Sequence, residues 1–281
     1  MPGSKTLYIS DLDGTLLGKD AALSENTTKI ISGLIKKGML FTAATARSLS
    51  SVPILKNLGI HIPCVQLNGV LMYDFDAHNY TGCTPIEPDA AREVISILRY
   101  FDRMSFVYKA DETYGIHVEF ERLSNEVERN FFEVRKDNDY KSFSQVNTIT
   151  VRDDDKVIYF TMVDQYEKLA AICEKISHVK GVRPTLYSDN YSDLYFLEVF
   201  SSSATKALGM KKIKKQIGAD RVVAFGDNLN DIEMLTLADV GIAVGDAAEP
   251  VKECADLIIG NSYEDAVALW LEKEFEKRQS L

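Results

Sequence analysis

The sequence predicts an α/β protein, with a Rossmann-like parallel-sheet core and an inserted α+β domain. Three observations predict it. In the outer parts of the chain, short apolar or β-branched runs alternate with helical patterns of about 10–15 residues, as in βα units. In the middle, the strand runs are longer and more aromatic, and some follow one another directly, which favours antiparallel pairing. The densest polar motifs directly follow outer runs, where an open α/β sheet gathers its ligand-binding loops.

The outer strand runs are Leu7–Ser10, Met39–Ala44, Pro63–Leu67, Arg221–Phe225 and Val240–Val244, with a further one at Leu257–Ile259. Between them, Ser24–Lys37 puts Ile30, Ile31, Leu34 and Ile35 on one stripe and stops at Gly38. Ser48–Leu58 stops at Gly59 and Ala204–Ile217 at Gly218 in the same way. The middle holds strand runs at Ser105–Lys109, Tyr114–Phe120, Lys156–Val163, Val182–Ser188 and Leu194–Phe200. Helical patterns at Asp89–Phe101, Ser124–Val134 and Gln165–Ile176 separate some of them. The expected division is a parent domain of residues 1–82 and 201–281 with residues 83–200 inserted as a separate α+β domain.

Composition excludes several classes. The chain has 281 residues and a formal charge of −10 at pH 7. That sign argues against nucleic acid as a partner, since non-specific binding needs clustered cations. The run Lys211, Lys212, Lys214, Lys215 reads as a solvated helix face. No apolar stretch approaches the roughly 20 residues of a membrane span, and the first residues carry no signal-peptide pattern. A cytoplasmic protein with no membrane partner is expected; the oligomeric state is not legible. Cys64, Cys83, Cys173 and Cys254 are far apart and the four histidines are scattered. Neither a disulfide framework nor a zinc site is expected.

The first polar cluster is Asp11-Leu12-Asp13-Gly14-Thr15. Two carboxylates at i and i+2 repel each other unless a cation is near. An ordinary turn with Gly14 accounts for this cluster taken alone. A calcium loop of the EF-hand type does not, because Thr15, Leu16 and Ala22 stand at its fifth, sixth and twelfth positions. The second cluster is Gly226-Asp227-Asn228-Leu229-Asn230-Asp231; alone it reads as an N-capped turn. Two such clusters, each after a parallel-type strand, can face one crevice. Hard carboxylate oxygens with few other ligands suit Mg²⁺. Thr45-Ala46-Arg47 and Asn68-Gly69 end the second and third runs, and Lys206 opens the helix after the insert. Each alone is a cap, a turn or a solvated lysine. No serine-hydrolase elbow, Walker loop or dinucleotide fingerprint is present.

Together these residues resemble the haloacid dehalogenase (HAD) superfamily, in its Cof-type phosphatase branch with a large C2 (type IIB) cap. The likeness rests on Asp11-x-Asp13-Gly14-Thr15, Thr45, Lys206 and Gly226-Asp227-Asn228-x-Asn230-Asp231, in that order, and runs nearly end to end. Ala46 and Ala266 stand where the family usually or often has Gly. The resemblance implies a Mg²⁺-dependent phosphomonoester hydrolase acting on small phosphorylated metabolites, sugar phosphates first. It implies Asp11 as nucleophile and Asp13 as general acid–base. Asp11, Asp13 (through its carbonyl) and Asp227 would hold Mg²⁺. Leu12, Thr45, Ala46, Lys206 and Asn230 would bind phosphate, with Asp231, Asn228 and Asn68 in support. Tyr114, His117 and Arg122 are expected to touch the leaving group from the cap. A sugar phosphomutase and a non-catalytic sugar-phosphate sensor are the alternatives; the intact Asp11 and Asp13 argue against the sensor.

Overall fold

The computed structural model describes residues 5–18, 21–47, 52–123, 125–137, 141–188 and 193–279. Two compact units emerge. One combines Met1–Thr81 with Thr205–Leu281, and the other is Gly82–Ala204.

The first unit opens with β1 (Thr6–Ser10), α1 (Glu25–Lys36) and β2 (Leu40–Ala43). Every residue of β1 is buried, as a central parallel strand covered on both faces requires. Ser24 caps α1 by accepting from the Thr27 amide at 2.8 Å. Of the expected helix Ser48–Leu58, Ser48–Ser51 lie outside the described residues; α2 spans Val52–Lys56. The next strands, β3 (Cys64–Gln66), β4 (Leu71–Asp74) and β5 (Asn79–Cys83), form a sheet of their own.

That small sheet differs from the sequence reading, which had the third run as another parallel core strand. β3 meets the chain just after β2 in a parallel bridge between Ala44 and Val65. It then pairs antiparallel with β4. The cause is local: Leu67, Asn68 and Gly69 all have positive φ (48°, 52° and 99°) and reverse the chain.

The second unit contains α3 (Pro88–Tyr100), β6 (Phe106–Ala110), β7 (Ile116–Phe120), α4 (Glu126–Arg135) and β8 (Lys141–Gln145). It continues with β9 (Lys156–Asp164), α5 (Tyr166–Ser177), β10 (Val182–Ser188) and β11 (Tyr195–Ser201). Its sheet runs β10-β11-β9-β6-β7-β8. All pairings are antiparallel except β7 with β8. One face packs Val107, Phe160, Met162, Leu197 and Val199 in a common core with Ala91, Val94 and Leu98 of α3 and Leu169 and Ile172 of α5. α4 places Phe131 near Phe106 and Phe196.

The chain returns to the first unit through α6 (Lys206–Ile217), β12 (Arg221–Gly226), α7 (Ile232–Leu237) and β13 (Val240–Ala243). α8 (Glu249–Cys254), β14 (Leu257–Ile258) and α9 (Ala266–Gln279) complete it. The core sheet runs β14-β13-β12-β1-β2, parallel throughout. β1 is its middle strand, and the strand order reverses there. Loops after β1 and β12 therefore leave the same edge of the sheet side by side.

Gly69 carries a measurable constraint. A Cβ at Gly69 would lie 2.2 Å from the Thr205 carbonyl oxygen, on backbone that already has φ +99°. Gly38 has a similar φ of +95° but open space around it. Gly69→Ala should cost about 2–4 kcal/mol and Gly38→Ala about 1–2. Trp270, the single tryptophan, lies in the first unit and packs on Phe225. Its fluorescence during urea unfolding reads that unit, and equal costs for the two variants would refute the close approach of Gly69 to Thr205.

Candidate active site

The site forms where β1 and β12 end and α6 begins. Asp11 follows β1, is 5% exposed, and its amide donates to the Phe225 carbonyl of β12 at 3.0 Å. That bond fixes the two acidic loops against each other. Lys206 is the first residue of α6, which Thr205 caps by accepting from the Leu208 amide. The Lys206 side chain is 1% exposed, and its Nζ lies 2.6 Å from Asp11 Oδ1 and 2.6 Å from Asp231 Oδ1. Such a buried ammonium is held by its partners or not at all.

The second loop is tied together by Asp231. Its Oδ2 accepts from the amides of Asp227 and Asn228, each at 3.1 Å. Asn228 in turn caps the short turn Leu229–Asp231. Asp231 is thus a structural clasp as well as a partner of Lys206. Asp227 accepts from the Thr15 hydroxyl at 2.7 Å. Gly14 must be glycine here: its φ is +80°, and a Cβ would stand 2.4 Å from Asp227 Oδ2.

Asp11, Asp227 and Asp231 each offer an oxygen within 4.8 Å of the others. Burial pushes the Asp11 carboxyl up to about 8, with Lys206 opposing and Asp231 adding to the rise. Burial raises Asp227 as well. For Lys206, burial works against the charge, but Asp11 and Asp231 outweigh it and keep the ammonium charged. Three clustered carboxylates facing one cation leave an excess of negative charge. A hard divalent cation would relieve it, so the donor set fits Mg²⁺.

The other expected residues take distinct places. Leu12 is fully buried and its carbonyl accepts from the amides of Thr15, Leu16 and Leu17. Thr45 is fully buried, with its hydroxyl accepting from the Arg47 amide at 3.0 Å; Ala46 beside it is exposed. The Thr45 carbonyl accepts from the Asn68 amide, and Asn68 Oδ1 accepts from Asn230 Nδ2 at 3.0 Å. The reversed turn after β3 thereby holds both Thr45 and Asn230.

Asp13 has a partner that the sequence reading did not assign. Arg47 Nε lies 2.7 Å from its Oδ2 and Arg47 Nη2 lies 2.5 Å from its Oδ1. This two-pronged pair occupies both carboxylate oxygens. Thr15 was the other unassigned partner. Both stand inside quoted motifs, yet their partners are 34 and 212 positions away, a separation no local pattern encodes.

Tyr114, His117 and Arg122 belong to the second unit and are engaged there. Tyr114 sits in the turn Asp111–Gly115 with φ +63°, under the Lys156 ammonium. His117 bonds Asp111 and Ser142, and Arg122 pairs with Asp102. His117 helps line a cavity of about 650 Å³ with Lys109, Glu119, Arg152, Asp155 and Lys156, which Tyr114 and Arg122 do not reach.

Comparisons with known proteins bear on the family and the fold. The family model described as haloacid dehalogenase-like hydrolase matches residues 8–271. A 5-amino-6-(5-phospho-D-ribitylamino)uracil phosphatase of Bacillus subtilis is 28% identical, over 96% of this chain and 97% of that one. A pyridoxal phosphate phosphatase of Escherichia coli is 25% identical, over 93% and 95%. Among solved structures, a haloacid dehalogenase-like hydrolase from Bacteroides thetaiotaomicron superposes with a TM-score of 0.70 at 22% identity, covering 97% of this chain and 100% of that one. A HAD subclass IIB sugar phosphatase gives 0.64 at 21%, covering 97% and 99%.

The buried ammonium yields a test. Lys206→Met should destabilise the first unit by about 3–5 kcal/mol, because it strands two buried carboxylates. Adding Asp231→Asn should return part of that loss. Urea unfolding followed at Trp270 measures both; a Lys206→Met cost below about 1 kcal/mol would contradict a desolvated ion triad.

Proposed function

Because the chain belongs to the haloacid dehalogenase-like hydrolases and is a phosphatase of that family, we propose that it hydrolyses small phosphorylated metabolites, sugar phosphates first, with Mg²⁺ in the cytoplasm. The observation that carries the reading is Lys206, buried between Asp11 and Asp231 with Asp227 beside them. Among the described residues no helix is long and apolar enough to cross a membrane.

Asp11, Asp227 and the Asp13 carbonyl would hold the ion, which supplies charge neutralisation so that an anion can approach an anion. Asp11 attacks phosphorus; the bond to the ester oxygen breaks, and that oxygen takes its proton from Asp13. Water then attacks the aspartyl-phosphate, gives its proton to Asp13, and frees Asp11 and inorganic phosphate. Lys206, Thr45, Asn230 and the Leu12 and Ala46 amides hold the phosphoryl oxygens in this scheme. Asp231 fixes Lys206, while Asn228 and Asn68 brace the loops. The domain boundaries at residues 82 and 201 delimit a cap that sets the leaving group.

Three measurements test this. EDTA should abolish p-nitrophenyl phosphate turnover, Mg²⁺ should restore it, and Ca²⁺ should support it poorly. Asp11→Asn should fall to background. Asp13→Asn should lose about 10²–10⁴-fold, most with alkyl phosphates, whose leaving oxygens need the proton. Turnover persisting after exhaustive chelation, or in Asp11→Asn, would overturn the reading.

A further inference from the structure

Asp111, His117 and Ser142 of the second unit stand in a row that the proposed phosphatase chemistry does not use. Ser142 Oγ lies 2.8 Å from His117 Nδ1, and His117 Nε2 lies 2.9 Å from Asp111 Oδ2. Register sets His117 of β7 opposite Ser142 of β8, so their side chains leave the same face of the sheet. Asp111 directly follows β6. Its Oδ1 accepts from the Thr113 amide and hydroxyl, each at 2.8 Å, and from the Gly115 amide at 2.9 Å. The bond to His117, with those from Thr113 and Gly115, holds the carboxyl well below the usual carboxylate range. Gly115 also leaves room for the other oxygen: a Cβ there would stand 2.6 Å from Asp111 Oδ2. The orienting anion is thus fixed through both oxygens.

A neutral imidazole carries one N–H. Given to Asp111, it leaves Nδ1 as the acceptor facing the Ser142 hydroxyl. In that arrangement a histidine can take a serine proton while a carboxylate stabilises the imidazolium that forms. Ser142 and His117 are both exposed, so an ester can reach the hydroxyl. His117 also lines the cavity of about 650 Å³, which has room for a small acyl group and its leaving group. β8 is the last strand of its sheet. An edge strand presents outward-facing amides, which can meet a developing oxyanion.

We propose that Ser142, His117 and Asp111 form a second, acyl-transfer site that hydrolyses carboxylic esters of small acids. His117 Nδ1 takes the Ser142 proton as Oγ bonds to the acyl carbon. The bond from that carbon to the ester oxygen then breaks, and the departing oxygen takes the proton from His117 to leave as an alcohol. Water attacks the acyl-serine and passes a proton to His117; the acid departs, and Oγ regains its proton. Asp111 acts through His117 as a positioning residue. The site lies wholly within the second unit and goes beyond the phosphatase reading.

The test uses the full chain in EDTA, with p-nitrophenyl acetate as substrate and a fluorophosphonate that bonds to activated serines. Mass spectrometry should place the fluorophosphonate on Ser142. Ser142→Ala should lower p-nitrophenyl acetate turnover about 10–100-fold, the low end for a positioned general base because the site is exposed. Asp111→Asn should slow both labelling and turnover by a similar factor through kcat, with KM unchanged, because an amide can donate to Nε2 and turn the imidazole to the wrong tautomer. Ser142→Ala and Asp111→Asn should keep the wild-type thermal transition and, with Mg²⁺ restored, the wild-type turnover of p-nitrophenyl phosphate. No label on Ser142, wild-type esterase rates in Ser142→Ala, or acetyl groups accumulating on lysines instead would overturn the site. So would equal losses on the acetate and phosphate esters. Failure of the phosphatase reading looks different: p-nitrophenyl phosphate is not turned over with Mg²⁺, whatever happens to the acetate.

Discussion

The site depends on one buried ammonium. Lys206 joins three segments that are distant in sequence: the loop after β1, the start of α6 and the loop after β12. Lys206 opposes the rise that burial imposes on Asp11, while Asp11 and Asp231 keep the buried ammonium charged. Its position at the first turn of α6 is fixed by the Thr205 cap and by the close approach of Gly69 to the Thr205 backbone. A turn with three successive positive φ values thus helps to place a lysine more than 130 positions away.

The same economy governs the acidic loops. Asp231 uses one oxygen for Lys206 and the other for two backbone amides, so the clasp of its loop also orients the cation. Thr15 and Gly14 bring the first loop onto Asp227 from the opposite side. What results is a group of carboxylates with a net negative excess beside one lysine, which a hard divalent cation would neutralise. Arg47 adds a constraint on Asp13, whose carboxylate it holds between two guanidinium nitrogens.

Much of this was legible in the sequence. The two acidic motifs and Lys206 stand at strand ends and at a helix start, and apolar runs marked those elements. The antiparallel pairing of β6 with β7 followed from two consecutive aromatic runs. Other parts were not legible, for physical reasons. Leu67 has a positive φ that its side chain does not advertise, so β3 read as another parallel core strand and β4 and β5 went unseen. Arg47 and Thr15 find partners only through the tertiary fold.

The central claim is that Asp11, set against Lys206, carries the phosphoryl group. A crystal structure of the protein with Mg²⁺ and BeF₃⁻ tests it most directly. The account predicts beryllium bonded to an Asp11 carboxylate oxygen, with the ion held by Asp11 and Asp227 and a fluorine within hydrogen-bond distance of Lys206 Nζ. Beryllium bonded elsewhere, or free fluoride complex with Asp11 unmodified under conditions of full activity, would contradict it.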